Sequence, residues 1–314
     1  MKHKIVALLA AIVAWQLGAA SPRTEIFAIK GTDTLRMDFY PTTAEDAPCI
    51  VFMFGGGFIR GTRNAPQYID FFEDMASRGY AVATIDYRLG LTPLLTATQK
   101  PTVGDLVGLL KNSVDIAVED LYSATSHLVA SADRLGINPA KIIISGSSAG
   151  AIAVLTGEWR RATGKAEGAL PEGFRYAGVV SMAGAIFTAE GRPRFKGVDM
   201  CPMLLFHGDA DSNVPYRTLA VGKVGMFGSD YIYDKCLKKG DKPYYVCIYP
   251  DVDHVVAGAP YLQNREQIEW FINQIALGGR AFQVYELLAD PAYPAKRGPR
   301  TVFDYIKANF GPQN

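Results

Sequence analysis

The sequence predicts an α/β protein with a mostly parallel, eight-stranded sheet and helices on both faces; three observations carry this expectation. Six short apolar runs, CIVFMF (49–54), YAVATIDY (80–87), KIIISG (141–146), YAGVVSMAG (176–184), PMLLFHG (202–208) and YYVCIY (244–249), are continuous rather than alternating. Such runs suit strands covered on both faces. Between them the apolar period changes to that of a helix, so strand and helix alternate along the chain. Lastly, TEIFAIK and TLRMDFY (24–30 and 34–40) alternate about a turn at Gly31 to Asp33, the pattern of an antiparallel hairpin at a sheet edge.

Taken in order, the chain begins with the short basic start MKHK, the apolar run IVALLAAIVAWQL, and the small residues Gly18, Ala19 and Ala20 before Ser21. This is the layout of a secretory signal peptide over residues 1–20, cleaved near Ala20, and it implies a secreted or periplasmic protein. The apolar core is shorter than the roughly 20 residues a spanning helix needs, so no stable membrane anchor is expected. Residues 21–314 are expected to form one domain.

Helices are expected at 66–78, 149–162, 216–238 and 262–277. Another starts at Asn112, a good N-cap residue, and repeats Val114, Ala117, Val118, Leu121, Ala124, Leu128 and Leu135 until Gly136 and Pro139 end it. The connections at 90–111 and 160–175 fall near carboxyl ends of strands, where open α/β sheets bind ligands. Residues 278–314 form a C-terminal extension whose stretches GGRAFQVYELL and TVFDYIKANF fit an added strand, external helices or a partner surface.

Composition excludes some classes. Hydrophobic residues make up 49% and charged residues 20%, which describes a globular chain. With 32 basic against 31 acidic residues and no basic block, nothing draws it to nucleic acid. Cys49, Cys201, Cys236 and Cys247 are not spaced as a zinc site. Cys49 and Cys201 read as buried thiols, and Cys236 and Cys247 are near enough in sequence for a bridge that sequence alone leaves open.

The stretch IIISGSSAGAIAVL (142–155) carries the chemistry. Its GxSxG lies between a buried strand and an alanine-rich helix, the context in which a strained turn lifts a serine hydroxyl above a sheet. Ser148 is therefore a candidate nucleophile, with Ser147 pointing elsewhere. A serine needs a base, and the base an orienting acid. Of four histidines, His3 falls in the leader, His127 in a helix, and His207 at a strand end where it packs or bonds backbone, leaving His254 in YPDVDHVVAG. Asp209 and Asp211 in HGDADSNVP both qualify as acid; the longer loop reach favours Asp211, with Asp209 the fallback. The run FGGGF (54–58) offers Gly56 and Gly57 as amide donors to a developing oxyanion, with the N–H of Ala149 completing the set.

These motifs resemble the α/β-hydrolase superfamily and, within it, secreted carboxylesterases related to the hormone-sensitive lipase group. FGGGF is similar to their HGGGF, DYRL (86–89) to their strand-end DYRL, GSSAG to GxSxG, HGDAD (207–211) to HGxxD, and DH at 253 to the histidine loop. The resemblance spans most of the chain beyond the leader and implies Ser148, Asp211 and His254 as triad and Gly56, Gly57 and Ala149 as oxyanion hole. Phe54, Ser147 and the Gly90–Pro93 stretch depart from the group's pattern, and its long amino-terminal helical cap is missing.

The expected activity is hydrolysis of carboxylic esters through an acyl-enzyme, without metal or organic cofactor. A small-molecule or polysaccharide substrate bearing an acetyl or feruloyl group is expected. Phe58, Tyr87, Trp159 and Phe187 are candidates to line its pocket. Two rivals share the fold: a prolyl-oligopeptidase-like peptidase, whose usual propeller this chain has no room for, and a non-catalytic binding protein.

Overall fold

Strand register here is decided by burial. Ile142, Ile143 and Ile144 are entirely buried, each side chain contributing about 2 kcal/mol by leaving water. They hold β5 (Ile137–Ser147) in the middle of the sheet, so whatever follows Ser147 must emerge at its carboxyl end. The computed structural model describes residues 21–99, 101–240, 242–299 and 301–310; the leader expected at 1–20 lies outside the described residues.

The alternating amino-terminal stretches form β1 (Arg23–Lys30) and β2 (Asp33–Tyr40), paired antiparallel. Then come β3 (Ala47–Met53), α1 (Pro66–Ser77), β4 (Ala81–Ile85), α2 (Val103–Ala130), α3 (Ala132–Leu135), β5 and α4 (Ala149–Ala162). The second half supplies β6 (Gly178–Met182), β7 (Ala185–Thr188), β8 (Met203–Gly208), β9 (Thr218–Val221), β10 (Val224–Gly228), α5 (Ser229–Ile232) and β11 (Tyr244–Tyr249). A 3₁₀ turn (His254–Ala257), α6 (Ala259–Gln263), α7 (Arg265–Trp270), β12 (Gln283–Leu287) and α8 (Val302–Phe310) follow. Among the described residues no helix is long and apolar enough to cross a membrane.

The main sheet runs β1-β2-β4-β3-β5-β6-β8-β11-β12, parallel from β4 onward, with β2 antiparallel to β4. Among the described residues it has nine strands rather than the eight expected. The ninth is β12, from the extension: its QVYEL alternates between exposed and half-buried positions and adds parallel to β11. A separate three-stranded sheet, β7-β10-β9, stands beside it.

Two further expectations are corrected. No single helix spans 216–238: β9 and β10 form a hairpin there, because Gly222 at φ +60° opens a two-residue turn that matches strand twist. Helix is confined to α5 and one π turn at 233–237. The helix expected from Asn112 begins at Val103, where the Thr102 hydroxyl accepts from the Asp105 amide and the Asp105 carboxylate accepts from the Thr102 amide. That reciprocal cap satisfies two end donors; the added turns carry glycines and face a cleft, so their apolar period is weak. All four cysteines are free thiols, and the Cys247 thiol lies against Glu286, 3.6 Å from Oε2, rather than bonded to Cys236.

Candidate active site

The turn after β5 is strained. Ser148 has φ +50° and ψ −112°, a conformation that costs a non-glycine residue on the order of 1–3 kcal/mol. Its flanking glycines are required by close approach: a Cβ on Gly146 would sit 2.4 Å from the Gly150 carbonyl carbon, and one on Gly150 would sit 2.1 Å from the Met53 carbonyl oxygen. The serine is thus raised at the mouth of the sheet while α4 packs tightly beneath it.

His254 meets Ser148 there. Its Nε2 is 2.8 Å from Ser148 Oγ, and its Nδ1 is 2.7 Å from Asp211 Oδ2. A carboxylate only accepts, so Nδ1 carries the proton and Nε2 presents a lone pair to the serine hydroxyl. Asp211 Oδ1 accepts from the amides of Asn213 and Val214, each at 2.8 Å. Burial by itself would raise the Asp211 pKa, but hydrogen bonds from His207 and His254 outweigh it and hold the carboxyl well below the usual carboxylate range. The three groups form one hydrogen-bonded line able to move a proton off the serine.

Asp209, the alternative acid, does not reach the histidine; it accepts from the Asp251 amide at 2.6 Å and ties the two loops together. Ser147 donates to the Ala257 carbonyl at 2.8 Å. His127, in α2, lies 3.3 Å from Glu25 of β1. His207 bonds backbone as expected, with Nε2 3.2 Å from the Val214 carbonyl, and Nδ1 is 2.8 Å from Ser229 Oγ.

The glycine loop lies against the serine: a Cβ on Gly55 would come 3.4 Å from Ser148 Cβ. Gly56 and Gly57 have φ of +130° and +65°, and neither amide donates to another described residue. Ala149 opens α4, so its N–H has no intrahelical acceptor. All three border a cleft of about 1190 Å³ that also contains Ser148 and His254.

Of the four candidate pocket residues, Phe58 and Phe187 border this cleft. Tyr87 does not. It is buried, stacks on Phe54 with ring centroids 4.4 Å apart, and donates to the Phe54 carbonyl at 2.8 Å, bracing the glycine loop from below. Trp159 does not either: it borders a separate cavity of about 460 Å³ with Lys165 Nζ 4.6 Å above its ring, and Phe187 is the wall between the two spaces. Aromatic type alone does not say which side of the sheet a ring faces.

Sequence reasoning missed Asp253. Its Oδ1 accepts from the amides of Ser212 and His254 and from the Ser212 hydroxyl, while Oδ2 pairs with Lys296 Nζ at 2.9 Å. The DH pair was visible, but only folding shows that its aspartate joins the acid loop to the histidine loop. The 90–111 stretch, expected near a ligand, does border the cleft through Leu91, Leu94 and the start of α2, whereas the apolar walls from β9–β10 and α8 were missed.

The fold matches known structures. Thermogutta terrifontis esterase 2 with propionate bound aligns at TM-score 0.57 and 21% identity, covering 82% of this chain and 94% of that one. Its butyrate-bound form aligns at TM-score 0.58 and 20% identity over 82% and 94%. The chain has the α/β-hydrolase fold. Residues 37–100 also match the BD-FAE family model. Gut esterase 1 of Caenorhabditis elegans is 30% identical over 125 residues, 40% of this chain; the match spans 20% of that protein's length.

Proposed function

We propose that this α/β-hydrolase is a serine carboxylesterase. The observation that carries the reading is the continuous line from Asp211 through His254 to Ser148, at 2.7 and 2.8 Å, ending at a strained turn that faces a cleft. Ser148 Oγ attacks the ester carbonyl carbon while His254 Nε2 takes its proton. The charge on the carbonyl oxygen meets the amides of Gly56, Gly57 and Ala149. His254 returns the proton to the departing alcohol, leaving an acyl-serine. Water then attacks that acyl group with His254 again as base, the Oγ–acyl bond breaks, and His254 returns the proton to Ser148 Oγ as the acid leaves.

For substrate we propose acetyl or feruloyl esters borne by plant polysaccharide. Short acyl groups are supported by the propionate and butyrate held in the Thermogutta structures; the cleft volume also accommodates an aromatic acyl group, with Phe58 and Phe187 on its wall. The basic-apolar-small leader supports action outside the cytoplasm.

The test is a panel of p-nitrophenyl esters of graded length, acetylated xylan and feruloylated arabinose, with Ser148→Ala as control and a fluorophosphonate to mark the serine. Ester turnover with label on Ser148 is the expected result. Hydrolysis of dipeptide anilides in preference to esters would favour the peptidase, and an unlabelled, inert protein a binding role.

A further inference from the structure

The last described segment crosses the outside of both loops that carry the acid and the base. Tyr305 Oη donates to the main-chain carbonyl of Asp211 at 3.0 Å, and Asn309 Nδ2 donates to the carbonyl of Ser212 at 3.0 Å. Four residues apart, the two side chains project from one face of α8, and Asn309 Nδ2 also donates to the Tyr305 carbonyl at 2.9 Å. On the histidine side, the Lys296 amide donates to the Asp251 carbonyl at 2.7 Å and its ammonium pairs with Asp253. Between these anchors Gly298 lies flat on Ala210, where a Cβ would come 2.8 Å from the Ala210 Cα.

We infer that Lys296, Gly298 and α8 form a clamp that positions Asp211 and His254 relative to each other, and that α8 is a specificity wall of the acyl cleft. Asp211 fixes its own carboxylate through the amides of 213 and 214, but that loop can shift as a body; the carbonyls of 211 and 212 are where such a shift is stopped. Lys296 does the same for the histidine loop through Asp253, whose other oxygen bonds His254 and Ser212 together. The same helix face presents Tyr305, Ala308 and Asn309 to the cleft, so substrate fit and alignment of the acid are read by one element. Misplacing a catalytic group by about 1 Å can cost on the order of 100-fold in rate. Tyr305, Asn309 and Lys296 are positioning residues. The inference rests on the esterase reading above.

The experiment measures kcat and KM on p-nitrophenyl acetate and butyrate, fluorophosphonate labelling of Ser148, and thermal melting, for the full chain and single variants. Tyr305→Phe removes one oxygen. It is expected to melt like the parent, lose about fivefold in kcat, the scale of one hydrogen bond, keep KM, and slow labelling by the same factor. Lys296→Met is expected to lose a similar factor, and Lys296→Arg, which keeps the ion pair, to recover most of it. Ala308→Trp is expected to raise KM for butyrate more than for acetate. Parent kcat and labelling in Tyr305→Phe, Asn309→Ala and Lys296→Met alike would overturn the clamp. Unchanged KM on both esters in Ala308→Trp would overturn the wall. A parent inert to both esters and probe overturns the esterase reading and the inference with it.

Discussion

His207 Nε2 lies 3.5 Å from Oδ2 of Asp211, the same oxygen that accepts from His254 at 2.7 Å. Two imidazoles therefore converge on one buried carboxylate. Because Nε2 of His207 also faces the Val214 carbonyl, it carries the proton, and Nδ1 accepts from Ser229. His207 keeps Asp211 ionised without competing for the serine.

Replacing His207 by alanine is expected to destabilise the fold by about 2 kcal/mol at neutral pH, since Asp211 and Ser229 lose a buried partner. Asp211 is held below its ordinary value, so its contribution is fully present above about pH 4 and fades as pH falls through the lower folded value. Losing one donor raises that folded value. The gap between variant and parent should be full at pH 7 and narrow below about pH 4, as urea unfolding at several pH values can show.

Ser148→Ala is expected to lower kcat by at least about 10⁴-fold while leaving the melting temperature near the parent's. Alanine keeps the Cβ and with it the strain of φ +50°. Ser148→Gly removes that strain and should melt no lower than the alanine variant, reversing the usual order of the two residues next to a helix. A glycine variant several degrees less stable would contradict a strained turn.

At Gly150 the constraint is steric. Its added Cβ would meet the Met53 carbonyl oxygen at 2.1 Å and the Phe54 carbonyl oxygen at 2.7 Å, backbone atoms of a fully buried strand end. Gly150→Ala should cost about 3 kcal/mol or more, read as a lowered denaturation midpoint, and should displace the glycine loop. Gly108→Ala, where nothing lies within 4 Å of the new Cβ, should be neutral or mildly stabilising.

Arg88 of DYRL is a structural residue. Its guanidinium and amide bond Asp120, which is wholly buried in α2, and its Nη2 reaches Glu119 at 2.6 Å. Burial raises the Asp120 pKa even with the arginine beside it. Arg88→Met strands that carboxyl and should cost about 3–5 kcal/mol. Adding Asp120→Leu should recover much of the loss, which a double-mutant cycle measures.

Local signals were legible where one residue type has one physical reading. Continuous apolar runs placed the buried strands, and GSSAG after KIII placed Ser148, because only small neighbours fit such a corner. Histidine is rare here, so chain order led to His254 and loop reach to Asp211, and folding joins both to Ser148. Less was legible where tertiary context decides. The 216–238 stretch has helix-compatible composition, yet Gly222 folds it into a hairpin. Tyr87 and Trp159 resemble pocket aromatics in sequence, but one braces a loop and the other faces a different cavity. The bonds of Tyr305 and Asn309 to residues about 95 positions away leave no periodic trace.

Ser148 sits on the deepest strand and helix, whereas His254 and Asp211 ride on loops fastened from outside by a few polar bonds to α8 and Lys296. Loop fastenings of that kind open with less free energy than a close-packed interior. Warming should therefore silence turnover first, with circular dichroism still native, and cooling from that intermediate temperature should revive it. The molecule has its thermostat in the arm around its loops, not in its sheet.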